Sequence, residues 1–257
     1  MSPLIINIDG YHLSDEEQSL LKDDVIGCVI LFSHNYNNQD QIKELISQIK
    51  DINHKLLISV DHEGGRIQRF RQGFTTLPSF EKIANTSRKN IDLAQELSYA
   101  CGLVGGYELS NIGVDINFSP VIDINRQINK KDDYLLKDRC FGDSANLIIK
   151  LAQSYIQGSL DAGILPVLKH FPGHGTVIED SHVEKCVSPC TLSDIKKNDI
   201  LPFLQLHKLF EIPIMTSHIS FMNIDQEIVT YSSKWLNEIS TDLFKSKPFF
   251  ISDEIEM

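Results

Sequence analysis

The segment Leu56-Leu57-Ile58-Ser59-Val60-Asp61-His62-Glu63-Gly64-Gly65-Arg66 is a short apolar run followed at once by charged and flexible residues. A nearly continuous apolar run of this length is typical of a strand that is buried on both faces of a parallel sheet. The same order, apolar residues and then polar ones, recurs along the chain. We therefore predict about seven strands, at residues 4–8, 28–32, 56–60, 114–118, 166–169, 213–216 and 249–252.

Longer stretches with apolar residues at helical spacing separate the predicted strands. They lie at residues 38–50, 92–110, 145–162, 193–210 and 232–244. Strand and helix in regular alternation predict a parallel sheet, and polar residues after the strands predict a TIM-type (β/α) barrel with its site at the carboxyl ends of the strands. A chain of 257 residues fits one such barrel, so we predict a single domain over residues 1–257.

Composition and charge limit the classes of partner. The chain is 42% hydrophobic and 23% charged, with a formal net charge of -11, and its mean hydropathy is -0.13. A negative protein is repelled by nucleic acid and by anionic membranes, so neither is an expected partner. The amino terminus has no basic region before its apolar residues, and no apolar run reaches the roughly 20 residues of a membrane helix. We therefore expect a cytoplasmic protein.

The cysteines are spread through the chain and their number is odd, which favours reduced thiols over a disulfide framework. Cys186 and Cys190 are spaced more widely than the usual pair of zinc ligands, and no second pair lies near them in the sequence. We predict no metal site and no cofactor.

The densest group of polar residues follows the predicted strand at 166–169. Residues 169–176 read Lys-His-Phe-Pro-Gly-His-Gly-Thr, and Asp180 and His182 follow shortly after. Proline and glycine indicate an irregular loop, and loops of this kind carry function more often than they carry packing. An isolated Asp-x-His pair is common on surfaces, but in this loop Asp180 is placed to orient His182 as a proton carrier.

Two other strand ends carry candidate residues. Asp61 and Glu63 precede Gly64-Gly65 and two arginines, a pattern that suits a polyol but is equally typical of a salt-bridged turn. Asp253 follows the predicted strand at 249–252. In a barrel it points into the shared pocket, where a carboxylate can attack an anomeric carbon, although an acid near a terminus is more commonly solvated.

Together these segments resemble glycoside hydrolase family 3, and specifically its single-domain bacterial β-N-acetylhexosaminidases of peptidoglycan recycling. The resemblance runs nearly from end to end. Its motifs are residues 61–66 with 69–71 and 77–78, residues 117–123 (Asn-Phe-Ser-Pro-Val-Ile-Asp), residues 138–142, the loop at 169–182, residues 215–218 and residues 252–257.

The resemblance implies a retaining glycosidase. Asp253 would be the nucleophile, and His182, oriented by Asp180, would take the acid/base role that a second carboxylate fills in most glycosidases. The implied substrate is N-acetylglucosamine linked β-1,4 to anhydromuramic acid, with or without its peptide. The residues implied to bind the sugar are Asp61, Arg69, Arg139, Lys169 and His170, and His174 is expected to be structural.

The family pattern continues beyond Met257 through a last strand and helix. We therefore expect a barrel that lacks its last β/α unit and self-associates through the open edge. Two other functions stay open at this point. One is an inactive, truncated homologue that keeps a sugar-binding pocket, and the other is a β-N-acetylglucosaminide phosphorylase.

Overall fold

The computed structural model describes residues 3–126, 136–179 and 184–255, and its parallel strands follow one another around a barrel. Parallel pairing joins them in chain order, except that β5 and β6 are consecutive pieces separated only by Val167. A bridge between Val121 and Lys169 joins the chain beyond β4 to β6. The barrel strands are β1 Leu4–Asn7, β2 Ile26–Leu31, β3 Leu57–Val60, β4 Ile116–Asn117, β5 Leu165–Pro166, β6 Leu168–Phe171, β7 Ile214–Thr216 and β8 Phe250–Ser252.

Helices cover the outside of this sheet. In α2, Asn38 caps the first turn by accepting the N–H of Gln41, and Ile42, Ile46 and Ile49 bury one face at helical spacing. The α-helices are α1 Asp15–Leu20, α2 Gln39–Ile52, α3 Phe80–Ser87, α4 Ile91–Ser110, α5 Ala145–Asp161, α6 Leu192–Lys197, α7 Ile200–Phe210 and α8 Ser240–Leu243, which continues a π-helical turn at Lys234–Ile239.

The close packing of α4 on α5 depends on glycine. A Cβ added to Gly102 would lie 2.1 Å from the carbonyl oxygen of Tyr155, and one added to Gly158 would lie 2.2 Å from that of Tyr99. The two helices therefore approach backbone to backbone, which brings Tyr155 of α5 under the strands, where its hydroxyl contacts Ser119 at 3.1 Å.

Short strands outside the barrel extend the loops at the carboxyl ends of the barrel strands. His62–Gly64 pairs with Ile67–Gln68 directly after β3. Cys186–Ser188, Ile219–Phe221 and Asp225–Ile228 form a second small sheet beyond β6 and β7.

The helix predicted at 193–210 is wrong as a single element, because α6 ends at Lys197 and α7 begins at Ile200. The break has a tertiary cause. The fully buried carboxylate of Asp199 forms an ion pair with Arg126, and the β-carbon of Asp199 packs where a side chain on Gly173 would lie. The predicted α/β barrel architecture and the predicted strand positions agree with the structure to within a few residues.

The strands β1 and β8 are the two ends of the strand order. Leu4 and Ile5 on β1 and Phe249 before β8 are exposed. Self-association through these edges stays a prediction, which size-exclusion chromatography with light scattering would test. Among the described residues, no helix is both long and apolar enough to cross a membrane.

Candidate active site

A network of buried ion pairs lies where β3 and β6 end. Lys169, on β6, places its Nζ 2.7 Å from Asp61 Oδ1 and 2.8 Å from Glu63 Oε1. Arg139 donates two hydrogen bonds to the same glutamate, from Nε to Oε2 at 2.9 Å and from Nη2 to Oε1 at 2.7 Å. Lys169, Glu63 and Arg139 are all buried, whereas Asp61 keeps 17% of its side chain exposed. The network therefore presents Asp61 as its accessible carboxylate.

Charge pairing decides the ionisation of this network. Burial by itself raises the pKa of Glu63, but the charges of Arg139 and Lys169 outweigh it and hold that pKa well below the usual range. Burial also raises the pKa of Asp61, and the charge of Lys169 reverses this effect. The pKa of Lys169 is raised, because Asp61 and Glu63 outweigh the effect of burial. All of these groups are charged at neutral pH.

Arg69 adds a third cation beside Asp61. Its Nη2 lies 3.6 Å from Asp61 Oδ2, and its guanidinium carbon lies 5.4 Å from the centre of the Phe32 ring. The guanidinium is thus held on an aromatic face close to the accessible carboxylate. With Arg69, Arg139 and Lys169 against Asp61 and Glu63, three positive charges face two negative ones, so the network is locally positive in a strongly acidic protein.

Asp253 lies one residue beyond β8 and faces the end of β6. Its Oδ1 accepts the backbone N–H of Glu254 at 3.0 Å, and its Oδ2 lies 3.9 Å from His170 Nε2. Asp253 keeps 20% of its side chain exposed, while His170 is buried. One carboxylate oxygen is therefore anchored, and the other is aimed at the ring of His170 from the solvent side.

Behind His170 stands the fully buried carboxylate of Asp123. It lies 2.7 Å from His170 Nδ1 and accepts the backbone N–H of His174 at 2.7 Å. Burial raises the pKa of Asp123, but interactions with His170 outweigh that effect and keep the carboxyl ionised. Burial lowers the pKa of His174 to about 4, so His174 is neutral at neutral pH.

His62 occupies a different environment, although it lies between Asp61 and Glu63 in the sequence. Its ring packs on Phe70 and Phe74, with centroids 5.9 Å and 5.8 Å apart. Within the described residues, neither ring nitrogen of His62 has a hydrogen-bond partner. Asn117 fixes the backbone instead, accepting the N–H of His62 at 2.9 Å and donating to its carbonyl at 3.0 Å. His62 is thus a packing residue.

The buried ring of His62 makes stability depend on pH. Burial lowers its pKa from 6.5 to about 3. The unfolded chain therefore binds one more proton than the folded chain between these values, so the stability present above pH 6.5 is lost as the pH falls towards 3. This one group costs about 1.4 kcal/mol per pH unit in that window. We expect His62→Leu to reduce the loss between about pH 7.5 and about pH 5 by roughly 2 kcal/mol.

Denaturant unfolding at the two pH values measures this difference. His54 is exposed, so His54→Leu is the matched control and should keep the pH dependence of the parent chain. An unchanged pH dependence in His62→Leu would show that the ring of His62 is protonated or solvated in the folded protein.

The structure brings most of the sequence-predicted site residues to one place. Asp61, Arg69, Arg139, Lys169, His170 and Asp253 all lie at the carboxyl ends of the strands, within the contacts described above. Asp180 and His182 lie outside the described residues. Sequence reasoning considered Glu63 only together with Asp61, as a polyol-binding acid or part of a salt-bridged turn, and the ion pairs of Glu63 fit the second reading. It assigned no role to Asp123 or Asn117, although both stand in the quoted motifs, and a polar residue inside or directly after an apolar strand was the signal that could have found them.

The fold and the site define a (β/α)-barrel protein with a cluster of carboxylates and cations at the carboxyl ends of its strands. The chain belongs to glycosyl hydrolase family 3, because residues 4–257 match the N-terminal domain of that family. The resemblance seen in the motifs is thereby confirmed.

Individual relatives agree with this membership. The chain is 34% identical to a beta-hexosaminidase of Hydrogenovibrio crunogenus, over 99% of this chain and 70% of that protein. It is 36% identical to a beta-hexosaminidase of Alkalilimnicola ehrlichii, over 100% of this chain and 73% of that protein. A crystal structure of NagZ from Neisseria gonorrhoeae in complex with N-trifluoroacetyl-D-glucosamine superposes with a TM-score of 0.92 at 31% identity, covering 99% of this chain and 74% of that one.

Proposed function

We propose that this chain is a β-N-acetylhexosaminidase that removes terminal β-linked N-acetylglucosamine by a retaining double displacement. The observation that carries the proposal is the position of Asp253, with Oδ2 directed at His170 beside the network of Asp61 and Lys169. The beta-hexosaminidase relatives and the NagZ complex with an N-acylglucosamine support the same activity.

Each described group has a role in this reaction. Asp253 attacks the anomeric carbon and forms a glycosyl-enzyme, which water then hydrolyses. Asp61 accepts hydrogen bonds from sugar hydroxyls, and Lys169 and Arg69 donate to the same sugar while holding that carboxylate in place. Arg139 keeps Glu63 charged and so fixes the position of Lys169. Because these side chains are held by ion pairs before the sugar binds, little reorganisation is needed.

The acid/base role is assigned to His182, with Asp180 orienting its ring. Sequence alone supports this assignment, through the motif at residues 169–182. His182 protonates the leaving oxygen in the first step and removes a proton from water in the second. An imidazole suits both steps, because it changes protonation near neutral pH.

Leaving-group dependence tests this role. We expect His182→Ala to slow hydrolysis of an alkyl β-N-acetylglucosaminide by about 10²- to 10⁴-fold. A dinitrophenyl glycoside should be slowed far less, because its leaving group departs without a proton. The two rates are measured side by side on the same preparation, and an equal loss on both substrates would remove His182 from the acid role.

The proposed natural substrate is N-acetylglucosamine linked to anhydromuramic acid, with or without the peptide. The local charge supports this choice. With Asp253 and the fully buried Asp123 counted, three cations offset all but one of four carboxylates, so the site is far less negative than a protein of net charge -11 and tolerates an anionic aglycone. Such fragments would be met in the cytoplasm, a location that cell fractionation would test.

Hydrolysis of a nitrophenyl β-N-acetylglucosaminide, with circular dichroism on the same sample, tests the proposal. We expect turnover of this substrate, retention of the anomeric configuration by NMR, and no turnover of the matched β-glucoside. Inorganic phosphate should not change the rate or the product. A folded chain without turnover would favour the inactive sugar-binding alternative, and a sugar phosphate as product would favour the phosphorylase.

A further inference from the structure

The carboxylate of Asp123 is not available to bind a sugar. Its side chain is fully buried, and both oxygens are already used. The Oδ1 atom accepts the N–H of His174 at 2.7 Å and lies 3.2 Å from the N–H of His170, while Oδ2 faces that same N–H at 3.2 Å and His170 Nδ1 at 2.7 Å. These contacts hold the backbone at His170 and His174 and the imidazole ring of His170 in place.

The bond to Nδ1 also determines that this nitrogen of His170 carries a hydrogen. An ionised carboxylate only accepts hydrogen bonds, so Nδ1 must carry the hydrogen. The other ring nitrogen, Nε2, is then the one that faces Asp253 Oδ2 at 3.9 Å. That distance is too long for a direct hydrogen bond, but it places the His170 ring beside the carboxylate, so the direction of the ring affects the surroundings of Asp253. The hydrogen bond from Nδ1 to Asp123 therefore determines how the His170 ring is oriented towards Asp253.

The backbone around Asp123 is as constrained as its side chain. Ile122 donates its N–H to the carbonyl of Lys169 at 3.0 Å. A Cβ on Gly175 would lie 1.7 Å from the carbonyl oxygen of Ile124, so the loop after β6 is pressed against the chain on both sides of Asp123. His174, the other ring near His170, is neutral at neutral pH because burial lowers its pKa to about 4. Two carboxylates thus face the His170 ring, Asp123 at Nδ1 and Asp253 at Nε2, and only Asp123 lies within hydrogen-bond distance.

We propose that Asp123 is a positioning residue of the reaction and acts on Asp253 through His170. It holds the hydrogen on Nδ1 and directs Nε2 at the carboxylate that attacks the sugar and later leaves it. This inference rests on the proposed function, since it assigns Asp253 as the nucleophile. It differs from a purely structural role in predicting that the effect of Asp123 on turnover requires the ring of His170.

A double-mutant cycle on kcat tests that dependence. We expect Asp123→Asn to lower kcat for a nitrophenyl β-N-acetylglucosaminide by about 10²-fold, with a KM change within a few-fold, because a misdirected ring costs catalysis more than binding. In a His170→Gln background, the same Asp123→Asn change should lower kcat by less than about three-fold. An equal factor in both backgrounds would overturn the proposal.

A measurement on the unmodified chain covers the case in which Asp123→Asn does not fold. Two-dimensional ¹H–¹⁵N NMR of the imidazole rings should show His170 with a protonated Nδ1, identified by the signal that disappears in His170→Gln. A His170 ring protonated only on Nε2 would contradict the proposal. If the parent chain shows the expected tautomer but no turnover, the proposed function fails while the contact between Asp123 and His170 stands.

Discussion

Replacing Asp253 by alanine is expected to lower kcat for an aryl β-N-acetylglucosaminide by about 10⁴-fold or more, because the change removes the proposed nucleophile. The side chain is partly exposed, and in the described part of the chain it contacts the backbone N–H of Glu254 and, at 3.9 Å, the ring of His170, so its removal should leave the fold intact. Circular dichroism and thermal unfolding of Asp253→Ala should therefore match those of the parent chain, while steady-state kinetics shows the loss.

Two additions make this experiment specific. Glu254 is exposed and adjacent, so Glu254→Gln is a matched control that should turn over the substrate at the parental rate. Sodium azide should partly restore activity to Asp253→Ala and give the glycosyl azide of inverted configuration, because the small anion enters the space of the missing carboxylate. A near-parental rate for Asp253→Ala without azide would place the nucleophile elsewhere.

The second large effect is expected for Glu63→Gln, and it falls on stability. Glu63 is buried and accepts from both Arg139 and Lys169, so its replacement leaves two buried cations short of one negative charge. Breaking a buried pair in this way costs about 3–5 kcal/mol. For a domain of this size that corresponds to a fall in Tm on the order of 10 °C. Turnover should fall as well, because Lys169 loses one of the partners that fix its position.

Thermal unfolding at neutral pH measures this effect. Glu96 is exposed on α4, so Glu96→Gln provides the control and should change the stability by no more than about 0.5 kcal/mol. Since the pKa of Glu63 is lowered in the folded chain, its stabilisation is present above pH 4.5 and is lost as the pH falls below that value. A Glu63→Gln chain as stable as the parent at neutral pH would show that the ion pairs barely offset their desolvation.

The sequence predicted the barrel well because strands between its two edges are buried on both faces. In β2 and β3 the apolar runs are short and continuous, and polar residues such as Asp61 begin where the strand ends. The break between α6 and α7 could not be predicted in the same way. It depends on Asp199 meeting Arg126 from a distant part of the chain, and periodicity within residues 193–210 carries no record of that contact.

The site shows the same division between local and long-range information. Asp61, Lys169 and Asp253 could be found because each follows or ends an apolar strand, and the strand ends of a barrel converge. Glu63 and His62 are neighbours of Asp61 in the sequence, yet one completes the ion-pair network and the other packs among aromatic rings. Glu63 is identified as a structural carboxylate by its pairing with Arg139, and Asp123 by its pairing with His170. Both contacts join distant parts of the chain, so they could not be read from the sequence.

Trapping the glycosyl-enzyme tests at once whether a covalent intermediate forms and whether Asp253 carries it. The chain is reacted with a fluorinated N-acetylglucosaminyl fluoride, which forms the covalent intermediate faster than it is hydrolysed, and is then digested and analysed by mass spectrometry. We expect one fluorinated sugar per chain, attached to the peptide that contains Asp253 and absent from Asp253→Ala. Turnover of substrate with the label on another residue, or with no covalent label at all, would contradict the assignment of Asp253 as the nucleophile of a retaining reaction.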